Sequence, residues 1–205
     1  MRAENLTTLT KIRKAAKAEF LAKGFKSASL RNIVKTAGLT TGAFYGYYGS
    51  KEELFCALVD EPYHVFMERY RQAQEAFACL PPACQQENMG EISGQCMDWM
   101  GAYVYENYDA FKLLLCCAEG TKYESMVHDM VEIEVRATHR FMEVLRSLGR
   151  KIPSLDPQLE HILVSGMFTG FFEMVVHDMP QEKAPAFVRE LRAFYMAGWQ
   201  KIMGF

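Results

Sequence analysis

The sequence predicts an all-α protein with about nine helices. Along most of the 205 residues, apolar side chains recur every three or four positions, which is the spacing of one face of a helix. The alternation of apolar and polar residues that indicates a half-buried strand does not take over in any long segment. Half of the residues are hydrophobic, so the chain is able to bury a sizeable core in one or two domains.

Two helices are predicted near the N-terminus. The first has its apolar face on residues 9–20, with lysines off that face, and ends at Gly24. The second follows Ser29, whose hydroxyl suits the N-cap position, and ends at Gly38. We expect Gly38 to adopt a positive φ in the tight turn that follows, because glycine has no Cβ that opposes it.

Two more helices follow this turn. Thr40 is expected to cap a short third helix over residues 41–47. A fourth helix is predicted to begin at residue 51, because Ser50 and Glu53 have the spacing of a capping box. We expect Pro62 to kink or interrupt the fourth helix, since proline has no backbone N–H to donate.

Helices also fill most of the remaining sequence. Pro81, Pro82 and the polar run 85–88 predict a loop after the fourth helix. Beyond that loop, the apolar periodicity predicts helices over residues 92–105, 110–117, 124–148, 158–178 and 186–203.

The near-neutral net charge of −2 conceals two regions of opposite charge. Residues 1–51 contain ten Lys and Arg and two Glu, a net charge of +8, whereas residues 52–205 have a net charge of −10. This asymmetry predicts a domain that binds a polyanion, for which nucleic acid is the obvious choice, joined to a domain with another role. A solvated basic face is the alternative. The predicted domains are therefore residues 1–51 and residues 52–205.

The sequence predicts a cytoplasmic protein without a membrane anchor. The longest apolar segment that lacks Asp, Glu, Lys and Arg, residues 161–172, is shorter than the roughly 18 residues that a membrane span needs. The first residues lack the apolar run of a secretory signal. The six cysteines lack the paired spacing of a zinc site, so we expect them to be small core residues.

The first three helices have the spacing of a helix-turn-helix, in which the third helix enters the major groove of DNA. The residues that carry this motif are Ile12, Ala15, Ala16, Phe20, Gly24, Phe25, Leu30, Arg31, Asn32, Ile33, Ala37, Gly38, Leu39, Thr40, Gly42, Ala43, Phe44, Tyr45, Tyr47, Tyr48, Ser50, Lys51, Glu52 and Leu54. In this pattern, the segment resembles the DNA-binding domain of the TetR/AcrR repressor family. It departs from the family at Ala28, Tyr47 and Tyr48, where the family usually has Thr, His and Phe.

The resemblance implies a set of DNA contacts around the third helix. Small residues in its first turn let the backbone approach the groove, and their hydroxyls can bond to bases or phosphates. Lys51 lies at a helix N-terminus, where its ammonium and free backbone N–H groups can hold a phosphate. The predicted DNA-binding residues are Ser29, Arg31, Thr40, Thr41, Gly42, Tyr45, Tyr47 and Lys51.

The second domain is predicted to bind a small molecule and to form a homodimer. The last two helices have more apolar surface than one packed face needs, as in the four-helix interface of the family that the chain resembles. The predicted interface residues are Phe168, Phe171, Phe172, Val175, Leu191, Phe194, Tyr195 and Trp199. Met and aromatic residues suit an adaptable cavity. The predicted ligand-binding residues are Trp99, Met100, Tyr103, Tyr108, Phe111, Leu115, Cys116, Met130, His139 and Met142.

The resemblance thus implies a ligand-released repressor of transcription that binds double-stranded operator DNA. A small apolar or aromatic effector would bind the second domain and lower the affinity for the operator. We expect no enzymatic activity, no cofactor and no metal.

Other functions have weaker support in the sequence. Cys116 and Cys117 lie near lysines and could form a thiol sensor, which requires exposure and a stabilised thiolate. An enzyme could use a Cys–His pair, but the sequence has no nucleophile elbow, phosphate loop or zinc-protease helix. A third alternative is an architectural DNA-binding protein without a ligand. A metal site could be assembled from Glu119, His128, Glu132 and His139.

Overall fold

The structure is a computed structural model that describes the backbone of residues 2–204 and the side chains of residues 7–204. Within this part of the chain there are nine α-helices, one 3₁₀ turn and no strand, which confirms the all-α prediction. The chain divides into two compact units. One contains the residues up to His64 together with Asn107–Glu124, and the other contains Val65–Glu106 and the residues from Ser125 onward. The functional boundary at residue 51 stays a prediction.

The first unit contains the helix-turn-helix segment. Its helices are α1 (Arg2–Ser27), α2 (Leu30–Thr36), α3 (Thr41–Tyr45), the beginning of α4 (Lys51–Ala78) and α6 (Tyr108–Cys116).

The predicted helix ends of this unit are largely confirmed by local contacts. Gly24, with a φ of 71°, interrupts the helical conformation within α1, and Gly38 adopts the same φ between α2 and α3. The Ser29 hydroxyl accepts a hydrogen bond from the N–H of Asn32, at 3.3 Å. The Thr40 hydroxyl accepts one from the N–H of Ala43, at 3.2 Å, so both N-caps are confirmed.

The N-terminus of α4 has a variant of the predicted capping box. The Ser50 hydroxyl accepts from the N–H of Glu53, as expected. The Glu53 carboxylate, however, accepts from the N–H of Gly49, at 2.6 Å, which is one residue earlier than the usual partner.

The core of the first unit is small and aromatic. Phe20 packs edge to face on Phe55, with ring centroids 5.1 Å apart, and Phe25 lies 5.3 Å from the same ring. The residues predicted from the sequence for this core are buried, namely Ile12, Ala16, Phe20, Ile33, Val34 and Phe44. This core therefore positions α3 in the first unit.

The predicted loop at 85–88 is wrong, and of the two alternatives predicted for Pro62, a kink or an interruption of the helix, the interruption is wrong. Helix α4 is not interrupted at Pro62 but continues to Ala78. The expected loop at 85–88 is helical, because α5 already begins at Pro82, where proline suits the first turn. The Gln85 amide donates to the carbonyls of Ala78 (3.2 Å) and Leu80 (2.8 Å), so this polar residue caps the end of α4 from within α5.

The second unit is a helical bundle. It contains the C-terminal part of α4, α5 (Pro82–Glu106), α7 (Met126–Ser147), α8 (Pro157–Val176) and α9 (Ala184–Met203). Helix α8 packs on α7 and α9, and α5 packs on α9.

Helix α8 is long and apolar enough, by length and composition alone, to cross a membrane. Apolar core helices of soluble proteins have the same properties, and α8 has Val164, Phe168 and Phe172 in the core of its unit. It also contains Glu160, which is 1% exposed, and whose carboxylate lies 2.6 Å from Nε2 of His139 on α7. The other carboxylate oxygen of Glu160 is buried without a hydrogen bond.

The cysteines are not the small core residues that the sequence predicts, with one exception. All six are free thiols, and only Cys117 is buried, whereas Cys79 and Cys116 are exposed. An amphipathic helix places small residues at the edge of its apolar face as readily as at the centre of that face, which explains the difference.

Candidate DNA-binding surface and effector cavity

Helix α3 presents the side chains that the sequence predicts to contact DNA. Phe44 is completely buried and anchors the helix, with its ring 5.9 Å from that of the buried Tyr48. The other positions of α3 are accessible, since Thr41 and Gly42 are exposed and Tyr45 is 55% exposed. A Cβ added to Gly42 would meet no atom within 4 Å. The outer face of α3 is therefore open, and its backbone is accessible.

The flanking tyrosines have different surroundings. Tyr48 accepts a hydrogen bond from Nε of Arg13 at 2.9 Å, so its hydroxyl is used within the unit. Tyr47 is half-buried. Of the three tyrosines near α3, Tyr45 is thus the one most available to a partner.

Helices α1 and α2 of the same unit carry exposed cations. Lys11, Lys14, Arg31 and Lys35 are all exposed. Ser29, in contrast, uses both its backbone N–H and its hydroxyl within the unit. Its N–H donates to the Glu19 carboxylate at 3.0 Å, and its hydroxyl caps α2. Hydrogen bonds from Lys23 and from the Ser29 backbone hold the pKa of Glu19 below its usual value. Glu19 therefore fixes the start of α2.

Lys51 has an intramolecular role that the sequence does not reveal. Its ammonium donates to the carbonyls of Phe25 (2.7 Å) and Ala28 (3.0 Å) and lies 4.6 Å from the centroid of the Phe25 ring. These carbonyls follow the break at Gly24, and that of Phe25 also accepts a hydrogen bond from the N–H of Ala28, at 3.3 Å. The ammonium thus binds α1 to the start of α4, and the phosphate contact of Lys51 stays a prediction.

We expect the substitution Lys51→Met to destabilise the first unit by about 1–3 kcal/mol, because the carbonyls lose a charged donor. Hydrogen exchange of the amides in α1 and α2 measures this loss. The matched control is Lys35→Met, which removes an exposed cation from α2. Equal protection in the two variants would contradict an intramolecular role for Lys51.

The second unit contains a partly open cavity of about 140 Å³. A buried water needs about 10–15 Å³ of such volume, so the space suits about ten waters or a small organic molecule. Aromatic rings and thioethers form most of its wall. The apolar lining residues include Phe77, Met89, Ile92, Met97, Met100, Phe141, Met167, Phe168, Phe171, Met196, Trp199 and Met203.

A polar group interrupts this apolar wall. The carboxylate of Glu134 on α7 accepts hydrogen bonds from the Tyr70 hydroxyl and, at 2.7 Å, from the Gln74 amide. Burial raises the pKa of Glu134 above its usual value, whereas the two hydrogen bonds oppose that shift. Burial also raises the pKa of the Cys96 thiol in the lining to about 11, so this group stays protonated at neutral pH.

Of the ten residues predicted to bind the ligand, Met100 lines this cavity. Trp99 and Tyr103 instead stack on each other, with centroids 4.9 Å apart, and the Arg69 guanidinium covers Trp99. Met130, Met142 and His139 also lie in the second unit, outside the cavity wall. The other four belong to the first unit, namely Tyr108, Phe111, Leu115 and Cys116.

The sequence reasoning missed Glu134, although a signal was present. Glu134 follows Met130 by four residues and precedes Thr138 by four, so it lies in register with the apolar face of α7. An acidic residue in that register indicates either a buried hydrogen-bonded carboxylate or a functional one.

The residues predicted for a dimer interface fall into three groups by exposure. Those on α8 are buried within the second unit, namely Phe168, Phe171, Phe172 and Val175. Those that are half-buried on α9 are Leu191, Tyr195 and Trp199. Phe194 alone in the predicted set is strongly exposed, at 73%. A second chain could therefore cover Phe194 directly, whereas the α8 phenylalanines already belong to a core.

The alternative sites have little support among the described residues. Burial raises the pKa of the Cys117 thiol, which is the wrong direction for a reactive thiolate. His139 pairs with Glu160, and Glu132 lies 3.8 Å from Arg136. No group of three His, Cys, Asp or Glu side chains that could hold a metal ion is found in the described part of the chain.

The helix-turn-helix segment matches a known family. Residues 12–58 match the model of the bacterial regulatory proteins, tetR family. The uncharacterized HTH-type transcriptional regulator YdgC of Bacillus subtilis strain 168 is 36% identical over 76 residues, which are 37% of each chain. The HTH-type transcriptional regulator UidR of Escherichia coli K12 is 33% identical over 75 residues, 37% of this chain and 38% of UidR. The match thus spans little more than a third of these relatives.

Solved structures resemble the chain over nearly its full length. A proposed fatty acid metabolism regulator of Clostridium perfringens is 17% identical, with a TM-score of 0.56 over 92% of this chain and 97% of that one. The fatty acid degradation regulator FadR of Bacillus halodurans is 16% identical, with a TM-score of 0.52 over 92% of this chain and 98% of that one. At such low identity the likeness concerns the fold alone. The match to the tetR family model thus concerns the helix-turn-helix segment at residues 12–58, whereas over the rest of the chain the similarity is one of fold.

Proposed function

We propose that the protein is a cytoplasmic, DNA-binding transcriptional regulator that acts as a homodimer and leaves its operator when a small molecule binds. The observation that carries the DNA-binding part is the geometry of α3. Its buried Phe44 fixes the helix while Thr41, Gly42 and Tyr45 lie exposed, in a region with a net charge of +8. A short helix held in this way is suited to the major groove.

The ligand-release part of the proposal is supported by the cavity in the second unit. Its wall of Met and aromatic side chains suits a ligand with a substantial apolar part. A ligand lowers the affinity for DNA only if it binds the DNA-free conformation more tightly than the bound one. Repression, as opposed to activation, is proposed because it is typical of the family.

The homodimer is supported by the exposed apolar residues of α8 and α9. Of the eight large hydrophobic side chains that are exposed among the described residues, four lie on these two helices. They are Leu159, Ile162, Val176 and Phe194. The exposed positions of α8 include 159, 162, 166 and 169, which are separated by three, four and three residues as in a helix seam, and Val176 follows seven residues later. A two-fold dimer would bury this surface and present two reading helices to two half-sites.

DNA binding is tested by a mobility-shift titration with DNA from upstream of the protein's own coding sequence. We expect specific binding whose affinity falls steeply as the salt concentration rises, because phosphate contacts release counterions. The substitution Tyr45→Ala is expected to lower the specific affinity by about tenfold, since a groove contact is worth about 1–3 kcal/mol.

The matched control is Leu21→Ala, which removes an apolar side chain of α1 that is 40% exposed. Unchanged binding in the Tyr45 variant would show that α3 does not read the DNA.

An architectural protein without an effector is the second candidate. It would be favoured if no compound in a panel raises the melting temperature of the protein.

A further inference from the structure

The carboxylate of Glu134 lies in the cavity wall, where hydrogen bonds hold it and not a salt bridge. Both hydrogen bonds described for it, from Tyr70 and from Gln74, end on the same oxygen, Oε2. Both donors are neutral groups. Burial raises the pKa of the Tyr70 phenol well above its usual value, so Tyr70 stays a donor and brings no charge of either sign. The second oxygen, Oε1, therefore retains its capacity to accept from another molecule.

The balance of charge around the cavity leaves Glu134 without a counter-ion. Among the lining residues, the charged ones are Glu134 and Arg192. Nη1 of Arg192 already lies 3.3 Å from the carboxylate of Asp98, and the guanidinium packs closely against Gly94. Arg192, the cation of the wall, thus pairs with an acid outside the wall. Glu134, the anion of the wall, is held by neutral donors.

An isolated carboxylate in apolar surroundings is unfavourable, and either protonation or a bound cation relieves the penalty. The rest of the lining does not provide that cation. A ligand with an ammonium group would provide it, and its apolar part would replace water against Phe77, Phe141 and Phe168. A ligand with a carboxylate would bring a second negative charge next to Glu134 and would meet like-charge repulsion.

We propose that the effector cavity binds an amphiphilic organic cation, whose ammonium group pairs with Glu134 and whose apolar body lies against the Met and Phe side chains. This assignment of the ligand class rests on the proposed function of the cavity as an effector site. Gln74 and Tyr70 act as positioning residues, since they hold the carboxylate in place through Oε2.

Three probes that share one skeleton test the proposal, namely 4-phenylbutylammonium, 4-phenylbutyrate and 4-phenylbutan-1-ol. They are similar in size and differ mainly in the charge of the head group. Calorimetric titration of the full chain at neutral pH measures their dissociation constants. We expect the ammonium probe to bind at least tenfold more tightly than the carboxylate probe, with the alcohol between them.

The variant Glu134→Gln keeps the shape of the side chain and an oxygen that can accept from Tyr70, but removes the charge. We expect it to bind the ammonium probe at least tenfold more weakly and the alcohol about as well as the unmodified protein does. The matched control is Glu143→Gln, which neutralises an exposed acid on the same helix and should leave all three constants unchanged. Circular dichroism and melting temperature establish that each variant is folded.

Several results would overturn the proposal. These are equal binding of the ammonium and carboxylate probes, no binding of the ammonium probe, or an ammonium preference that survives in Glu134→Gln. A carboxylate preference that is lost in Arg192→Gln would assign the head group to Arg192 instead.

The mobility-shift experiment separates this inference from the proposed function. If DNA binding is intact and the ammonium preference is absent, the ligand class is wrong and the regulator proposal stands. If the ammonium preference depends on Glu134 but no DNA is bound, the cavity assignment stands and the regulator proposal fails.

Discussion

The substitution Phe44→Ala is expected to destabilise the first unit by about 3–5 kcal/mol, which is the usual cost of deleting a fully buried phenylalanine. Phe44 is completely buried and lies against Tyr45 and Tyr48, with centroid distances of 5.5 and 5.9 Å. Because α3 has only five residues, it cannot persist without this anchor. We therefore expect specific DNA binding to be lost together with the protection of the α2 and α3 amides.

Hydrogen exchange is the appropriate measurement for this variant. Trp99 and Trp199, the two tryptophans of the chain, lie in the second unit, so their fluorescence does not report on α3. The matched control is Tyr45→Ala, which alters the next residue of the same helix. Since Tyr45 is 55% exposed, its loss should leave amide protection nearly unchanged while DNA affinity falls. Similar protection in the two variants would contradict an anchoring role for Phe44.

The substitution Phe194→Glu is expected to convert the proposed dimer into a monomer and to reduce operator affinity by at least a hundredfold, or about 2.7 kcal/mol at 25 °C. Phe194 is 73% exposed, so a charge at this position costs the isolated chain little. In an interface, the same carboxylate would be desolvated without a partner. The loss of affinity follows because one chain reads a single half-site.

Light scattering coupled to size-exclusion chromatography measures the mass of each variant in solution. Ile162→Glu, on the exposed seam of α8, should have the same effect if both helices form the interface. The control is Leu148→Glu, at a position that is 42% exposed beyond the end of α7. A monomeric unmodified protein, or a dimer that survives both interface substitutions, would contradict the proposed interface.

The helix ends near the N-terminus illustrate what local sequence decides. Ser29 and Thr40 accept hydrogen bonds from backbone groups three residues away, and Gly24 and Gly38 adopt positive φ values. These interactions involve neighbours in the chain, so residue type and spacing suffice to predict them. For the same reason, the helix-turn-helix and its resemblance to a family can be recognised from the sequence.

The sequence is less informative where a side chain bonds to another segment of the chain. The polar run at 85–88 indicates a loop by composition, but Gln85 is helical and binds carbonyls at the end of the preceding helix. Lys51 has the position of a phosphate ligand in the sequence, whereas its ammonium binds carbonyls more than twenty residues away. Neither partner can be inferred from the spacing of nearby residues.

By itself, the sequence determined the all-α class, the helix-turn-helix segment and the contrast between a basic N-terminal region and an acidic remainder, because these depend on periodicity, capping and composition. Only the tertiary structure decided which apolar residues line the cavity, that Phe168 and Phe171 face inward, and that Glu134 lies in the wall. The physical reason is that a helix has one apolar face in sequence, but packing against several neighbours divides that face among core, cavity and solvent.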